Sequence, residues 1–294
     1  MTKQRQNNIL ETVIHGFFLT LGLVAVVSVL VITVYLIVSG LPAIRQIGLF
    51  KFLFGKTWEP TSADPKYGIL PFILTSVYGT AGAVVLGVPA GFFAAVYLSK
   101  AAPARVRSVM EQAVGLLAGI PSVVYGLVGM LVLVPGIRKL FHVPDGASLL
   151  AAIIVLAIMI LPSIVKVSMT ALDAVPKEYE DGSLALGATQ VETWFRVSVP
   201  AARSGVAASV VLGVGRAIGE AMAVMMVSGN VANMPSLFQS VRFLTTGVAS
   251  EMSYAADGSL QRQALFSIAL VLFLFIMLIN ATLNLLLKKG GKDA

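Results

Sequence analysis

Six long apolar runs constrain the fold of this 294-residue chain more than any other feature of its sequence. A helix needs about 20 consecutive apolar residues to cross the hydrocarbon core of a bilayer. Runs of that length cover residues 13–38, 72–98, 113–134, 149–170, 205–229 and 264–287. We therefore predict an all-α integral membrane protein with six transmembrane helices, folded as one domain over residues 1–294.

The composition agrees with a membrane protein and excludes several function classes. The chain is 57% hydrophobic and 12% charged, whereas soluble domains contain roughly 25% charged residues. It has no Cys and two His, which excludes disulfides, thiolate catalysis and a protein-built zinc site. The net charge is +7, but the basic residues are scattered between apolar runs, and a nucleic-acid site needs them clustered. We therefore predict no catalytic residue, no metal site and no nucleic-acid partner.

The distribution of Lys and Arg predicts the orientation in the membrane. Twelve of the 21 lie in the N-terminus, the 99–112 loop, the 166–203 region and the C-terminus. Cytoplasmic loops contain the excess of basic residues. We therefore predict that both termini are cytoplasmic.

One short segment superficially resembles a phosphate-binding loop. Gly55-Lys56-Thr57 would end such a loop, but the pattern requires a glycine at position 50, which is Phe50. The segment also lies in the first outer loop. We therefore predict that the chain itself binds no ATP and has no cofactor.

The connection between the fourth and fifth runs has the local chemistry of two short helices. Pro176 suits a helix start, and Gly187 can end that helix in a left-handed conformation. Thr189 and Glu192 form a capping-box pattern that starts a second helix, which we expect to end at Pro200. The pattern predicts a helix–turn–helix element on the cytoplasmic face, with an acidic rim that includes Glu180 and an apolar underside. A simple solvated hairpin is the alternative.

The same connection resembles a known motif. Asp181-Gly182-Ser183, then Leu184 to Gly187, and Val197 to Pro200 after nine residues resemble the EAA motif of ABC-importer permeases. Asp replaces the usual Glu, Gly and Ser replace two alanines, and valines replace Ile and Leu. The resemblance implies that a coupling loop, residues 171–203, inserts Val175 to Val191 into an ATP-binding subunit. The implied ATPase-coupling residues are Glu180, Asp181, Gly182, Ser183, Ala185, Leu186, Gly187, Ala188 and Thr189.

Two opposite charges lie within the fifth run. Arg216 and Glu220 are four residues apart, so in a continuous helix they share one face. Ionisable residues in a bilayer are costly, and a guanidinium suits a tetrahedral oxyanion such as phosphate. We predict a weak, transient anion site here, with the carboxylate holding Arg216 when the site is empty. A purely structural salt bridge is the alternative.

The surrounding sequence resembles the PstC-type permeases of phosphate ABC importers over nearly the whole chain. Gly215 to Glu220, Met222-Ala223-Val224 and Gly229-Asn230 form the most specific match, and Ala221 replaces a common Thr. Trp58 with Pro60, Tyr67 to Phe72 and Ala264-Leu265-Phe266 also match. The resemblance implies the type I (MetI-like) importer architecture and a phosphate path that includes Arg216, Glu220 and Asn230.

The resemblance also implies partners and a location. This chain would pair with a second, PstA-type permease and two copies of an ATP-binding subunit, which would bind the ATP and Mg²⁺. Its outer loops, including Trp58 and the 235–258 stretch, would face an extracytoplasmic phosphate-binding protein. The chain itself would be a transport subunit and not an enzyme, surrounded by lipid in a bacterial-type plasma membrane.

Three other functions remain open at this point. The chain could be an ABC permease for another oxyanion, such as molybdate or sulfate, or for an organic solute. It could be an ion-coupled secondary transporter or channel, although the Asp181 to Pro200 pattern argues against this. It could also be an inert scaffold. Lys166 lies at the cytoplasmic end of the fourth run, and we expect its side chain only to extend to the membrane–water interface.

Overall fold

Helices form nearly all of the regular structure in the computed structural model, which describes residues 3–290. The α-helices of this region, in chain order, are α1 (Lys3–Ile47), α2 (Leu49–Phe54), α3 (Leu70–Val96), α4 (Ala104–Gly119), α5 (Ser122–Val128), α6 (Val134–Phe141), α7 (Leu149–Asp173), α8 (Lys177–Ala185), α9 (Gln190–Thr193), α10 (Val199–Ala201), α11 (Arg203–Gly219), α12 (Met222–Val227), α13 (Leu244–Glu251) and α14 (Leu260–Gly290). Three π-helical turns extend α3 and join α5 to α6 and α9 to α10: Tyr97–Ala101, Gly129–Leu133 and Trp194–Ser198. Two short strands, β1 (Trp58–Glu59) and β2 (Lys66–Tyr67), pair antiparallel.

Five helical segments of residues 3–290 are long and apolar enough to cross a membrane, and a sharply bent pair of segments makes a possible sixth. The five are Val13–Ile47, Leu70–Ala101, Ser122–Phe141, Leu149–Asp173 and Leu260–Thr282. The bent pair is Gln190–Ala201 and Arg203–Gly219, which meet at 72°. Lys292 and both chain ends, to which the sequence assigns a cytoplasmic position, lie outside the described residues.

The third span begins later than the sequence predicts. Residues 113–134 do not form one helix, because α4 ends at Gly119 and Ile120 takes an extended conformation with ψ 128°. Pro121 follows and disfavours a helical conformation at the residue before it. The spanning segment is Ser122–Phe141, and α4 is a separate helix with no fully buried residue.

The centre of the fold is α7, which packs against both α3 and α11. Glycines on α3 receive isoleucines of α7 at very short range. A Cβ added at Gly87 would lie 2.7 Å from Ile160, and one added at Gly91 would lie 2.8 Å from Ile164. The four-residue spacing of these glycines therefore allows the two helices to approach closely.

The other two glycine pairs with this spacing pack differently. A Cβ at Gly115, Gly119, Gly215 or Gly219 would meet no atom within 4 Å. These glycines therefore create no close helix packing within the described part of this chain. The same four-residue pattern supports helix contact only where α7 supplies the facing side chains.

The long connection before α14 is folded into the bundle and does not form a simple outer loop. Residues Leu244 to Gly247 of α13 are buried, and the backbone N–H of Leu244 donates to Ser76 Oγ of α3 at 3.0 Å. The ring of Phe243 fills the space beside Gly79. This connection therefore ties α3, α12 and α14 together at one end of the bundle.

Candidate functional site

The fifth apolar run is broken at Glu220, which changes the predicted relation between its two charges. Helix α11 ends at Gly219, Glu220 is extended with ψ 128°, and α12 begins at Met222. The expectation that Arg216 and Glu220 share one face of a continuous helix is therefore wrong. Glycine has low helix propensity, and the glycines of this run help to explain the break.

Glu220 stabilises the break itself. Its Oε1 accepts a hydrogen bond from the backbone N–H of Ala223 at 3.0 Å, in the first turn of α12. Its backbone carbonyl accepts a hydrogen bond from Thr245 Oγ1 of α13 at 2.8 Å. Polar backbone groups freed by a helix break need partners in a membrane. Glu220 thus caps α12 and does not neutralise Arg216.

Arg216 lies in the last turn of α11 and contacts a hydroxyl of the central helix. Its Nη1 lies 3.5 Å from Ser163 Oγ on α7, and its side chain is half-buried. Within residues 3–290, no described carboxylate forms an ion pair with it. A cation near the C-terminus of a helix is favourable. Its guanidinium keeps donors that are free for an anion.

Asn230 belongs to a different cluster from Arg216. It adopts a left-handed conformation with φ 53°, and its backbone carbonyl accepts from Arg242 Nε at 2.9 Å and Nη2 at 2.7 Å. Its side-chain Oδ1 is buried without a hydrogen-bond partner among the described residues. The structure therefore brings Asn230 together with Arg242 at the opposite end of α12 from Glu220.

This second cluster also contains Trp58, which the family resemblance placed in an outer loop facing a binding protein. Trp58 is only 5% exposed, and its Nε1 donates to Glu251 at 3.0 Å. Glu251 also pairs with Arg242, and Phe72 lies under the Arg242 guanidinium at 5.7 Å. No sequence pattern predicts this pairing, because 193 residues separate Trp58 from Glu251.

The helix–turn–helix element has the predicted local chemistry. Helix α8 begins after Pro176, and Gly187 adopts φ +90° beyond the end of that helix. Thr189 Oγ1 accepts from the N–H of Glu192 at 3.3 Å, while Glu192 accepts from the N–H of Thr189 at 3.0 Å. The left-handed glycine and the capping box are both confirmed.

The expected end at Pro200 is wrong, because the second helix continues through that residue and turns at Ala202. A proline inside a helix removes a backbone donor and clashes with the carbonyl four residues earlier. The π-helical turn Trp194–Ser198 precedes Pro200, and the Val199 N–H bonds back five residues to the carbonyl of Trp194. The wider turn relieves the clash, so the chain bends 72° only at Ala202.

Glu180 faces inward and does not join an exposed acidic rim. Its Oε1 accepts from Lys100 Nζ at 2.5 Å and from Ser198 Oγ at 2.7 Å. Lys100 also donates to the carbonyl of Leu172 at 3.0 Å. Burial raises the pKa of Glu180, but the hydrogen bonds from Lys100 and Ser198 outweigh it and hold the pKa below its usual range. The residue anchors α8 to the ends of α3 and α7.

The remaining residues of the predicted coupling set divide between the inner and outer sides of the element. Ser183 bonds to the buried Thr193 at 3.0 Å, and Ala188 is half-buried. The exposed members are Asp181, Gly182, Ala185, Leu186, Gly187 and Thr189. Leu186 is 91% exposed at the tip of the element. Tyr179, Leu184 and Val191 of the same element are also exposed. Several large apolar side chains exposed on one short element are typical of a protein contact surface.

Comparisons with known proteins give one family throughout. The profile of the family "Binding-protein-dependent transport system inner membrane component" matches residues 87–289. The chain is 40% identical to the probable ABC transporter permease protein YqgH of Bacillus subtilis, with 95% of this chain and 93% of the relative covered. It is 34% identical to the phosphate transport system permease protein PstC of Mesorhizobium japonicum, with 82% and 79% covered.

Solved structures of transporters share the fold. A chain of the MetNI methionine ABC transporter, solved in inward-facing conformations, superposes with a TM-score of 0.60 at 17% identity, covering 76% of this chain and 95% of that one. A chain of a bacterial alginate ABC transporter gives 0.62 at 14% identity, covering 94% of each chain. That transporter was solved in complex with an alginate-bound periplasmic protein.

Proposed function

This chain belongs to the family of inner membrane components of binding-protein-dependent transport systems, and we propose that it carries inorganic phosphate as the permease subunit of an ATP-driven importer. It is a transport component of the ABC class, with several membrane-spanning helices. The PstC relatives, about 34% identical over most of the chain, support phosphate as the substrate.

The environment of Arg216 is the observation that carries this proposal. A cation within a membrane helix needs a partner, because its desolvation is costly. Among residues 3–290, Ser163 supplies the one hydrogen-bond partner described for the Arg216 side chain, and Glu220 is used to cap α12. Guanidinium groups bind phosphate oxygens through paired, charge-assisted hydrogen bonds. A transported phosphate is therefore the counter-ion that this site lacks.

The helix break supports a path at this position. Non-helical backbone at membrane depth is tolerated where it is buried in protein or lines a cavity. At Glu220 the C-terminal end of α11 and the N-terminal end of α12 meet close to Arg216 in the sequence. The hydroxyl of Thr245 on α13 stabilises this break by its hydrogen bond to the Glu220 carbonyl. Small movements of α11 against α12 would then open Arg216 to one side of the membrane or to the other, as alternating access requires.

The coupling element would transmit the drive for these movements. We propose that Leu186 and the exposed residues around it dock on an ATP-binding subunit, which binds ATP and Mg²⁺. Glu180 and Lys100 would pass the displacement to α3, and the bend at Ala202 would pass it to α11. The proposed assembly contains this chain, a PstA-type permease, two ATP-binding subunits and an external phosphate-binding protein.

The test is ATP-dependent uptake of radiolabelled phosphate by vesicles that contain the complete complex. The Arg216→Gln variant loses charge-assisted hydrogen bonds to phosphate that contribute about 1.5–3 kcal/mol. Its phosphate uptake should therefore be at least about tenfold slower than that of the wild type. The ATP-binding subunit should still co-purify with this variant. The control variant Arg138→Gln, which removes an exposed charge on α6, should transport phosphate at the wild-type rate.

Three results would contradict the proposal. Normal phosphate uptake by the Arg216→Gln variant would show that Arg216 does not form the phosphate site. If the wild type took up sulfate, molybdate or another solute but no phosphate, the protein would still be an ABC permease, but the assignment of phosphate as its substrate would be wrong. Transport by this chain alone, without an ATP-binding subunit, would indicate a secondary transporter.

A further inference from the structure

A cavity with both polar and apolar lining opens between α4 and α7, at the end of the bundle that contains the coupling element. Its volume is about 430 Å³, and a water molecule occupies about 30 Å³ in the liquid. The space is therefore sufficient for a hydrated oxyanion. The lining residues are Ser108, Glu111, Gln112, Val114, Lys166, Met169, Thr170 and Asp173.

The cation of this cavity is Lys166, for which the sequence predicted only an interfacial position. Within residues 3–290, no described carboxylate lies within ion-pair distance of Lys166. Arg107 is shared by the two acidic lining residues and bonds Glu111 at 2.7 Å and Asp173 at 2.5 Å. One guanidinium balances only one of these two carboxylates, and Lys166 brings the net charge at the cavity to zero. The Lys166 ammonium is the cation of the cavity that no described carboxylate holds in an ion pair.

Neutral donors lie in the same cavity. The side chains of Ser108 and Gln112 form no hydrogen bond with other described residues, so both can donate to a ligand. Thr170 is different, because its hydroxyl donates to the carbonyl of Lys166 at 3.0 Å. An ammonium with a hydroxyl and an amide is a donor set that suits oxyanions.

The cavity and the Arg216 site both lie along helix α7. Ser163, which contacts Arg216, and Lys166 are three residues apart and lie on the same side of the helix. That spacing is a rise of about 4.5 Å. Thr170 follows seven residues after Ser163 and lies almost directly below it. One face of α7 therefore leads from Arg216 to the cavity.

We propose that this cavity is a second phosphate site on the transport path, in which Lys166 receives the anion from Arg216 before release into the cytoplasm. The inference rests on the proposed function. A lipid headgroup carries the same phosphate chemistry and is the competing occupant. The alignment of Lys166 with Ser163 on α7 favours the transported anion, because Ser163 on that face contacts Arg216.

The experiment measures inhibition of transport by phosphate on the release side. Vesicles containing the complete complex enclose ATP and graded concentrations of phosphate, and initial uptake of external radiolabelled phosphate is recorded. Enclosed phosphate should occupy the cavity and slow wild-type uptake. Lys166→Gln should need about tenfold more enclosed phosphate for the same inhibition, since one charge-assisted hydrogen bond is lost.

Two further variants control for charge and for structure. Lys166→Arg keeps the charge and should retain inhibition close to the wild type. Arg105→Gln removes an exposed cytoplasmic-side charge that forms no ion pair among the described residues, and should behave as the wild type. Each variant is also checked for co-purification of the ATP-binding subunit, and each vesicle series is prepared with and without phosphatidylglycerol.

The outcomes separate this inference from the proposed function. Wild-type uptake of phosphate with unchanged inhibition in Lys166→Gln would overturn the cavity site alone. An effect of Lys166→Gln that follows the phosphatidylglycerol content and not the enclosed phosphate would assign the cavity to lipid and overturn it. Loss of assembly in both Lys166 variants would make Lys166 structural, with the same consequence. Absence of phosphate uptake by the wild type would overturn both.

Discussion

Replacing Lys100 by Met should release α8 from the membrane helices without removing the surface that docks a partner. Lys100 Nζ bonds Glu180 at 2.5 Å and the carbonyl of Leu172 at 3.0 Å. The two side chains are only 10% and 22% exposed. The variant therefore leaves a largely buried carboxylate with Ser198 as its remaining donor.

The magnitude follows from these contacts. A hydrogen bond to a charged group contributes about 1.5–3 kcal/mol, and we take about 2 kcal/mol because Ser198 remains and Glu180 keeps some solvent contact. At about 1.4 kcal/mol per factor of ten, the equilibrium shifts about 30-fold toward undocked α8. The double variant with Glu180→Gln should be less affected than the sum of the single variants, because it leaves no buried charge unpaired.

The assay is amide hydrogen exchange of α8 in the assembled complex, together with phosphate transported per ATP hydrolysed. Protection should fall about 30-fold in Lys100→Met, and the transport-to-hydrolysis ratio should fall with it. Asp257→Asn breaks the exposed Arg262–Asp257 pair, which should contribute little, and provides the control. Unchanged α8 protection in both Lys100→Met and Glu180→Gln would refute the anchoring role.

The anchoring of α8 by Glu180 should also depend on pH. Because the pKa of Glu180 is held below its usual range in the folded protein, its contribution is lost as the pH falls through that lowered value. In Lys100→Met the opposing effect of burial remains, so α8 should lose protection at a higher pH than in the wild type. Identical pH profiles would contradict the assignment.

Two other substitutions test packing and docking. Gly91→Val should lower the free energy of unfolding by about 1–3 kcal/mol, and with it the melting temperature, because the new Cβ would lie 2.8 Å from Ile164. Gly115→Val, where no atom lies within 4 Å, should melt as the wild type does; equal losses in both would refute the packing argument. Leu186→Asp should keep the wild-type melting temperature and lose the ATP-binding subunit in co-purification, because Leu186 is 91% exposed. Normal recovery of that subunit would exclude Leu186 from the interface.

The sequence determined the features that depend on local chemistry. Four of the six apolar runs, 13–38, 72–98, 149–170 and 264–287, each lie within one helical segment, because hydrocarbon requires about 20 apolar residues per helix. The third and fifth runs are broken, at Ile120 and at Glu220. Gly187 and the Thr189–Glu192 capping box were predictable because each is a contact between residues close in sequence. The family resemblance was visible for the same reason, since its motifs are short and their spacing is fixed.

Only the tertiary structure decided how the charged residues are used. Arg216 and Glu220 are separated by a helix break that Thr245 stabilises from 25 residues away. Glu180 turns inward because Lys100, 80 residues earlier, lies beside it. A buried charge takes whichever partner the packing brings near, and that partner is set by contacts between distant segments. Sequence periodicity reports the face of a helix, whereas the structure determines what lies opposite that face.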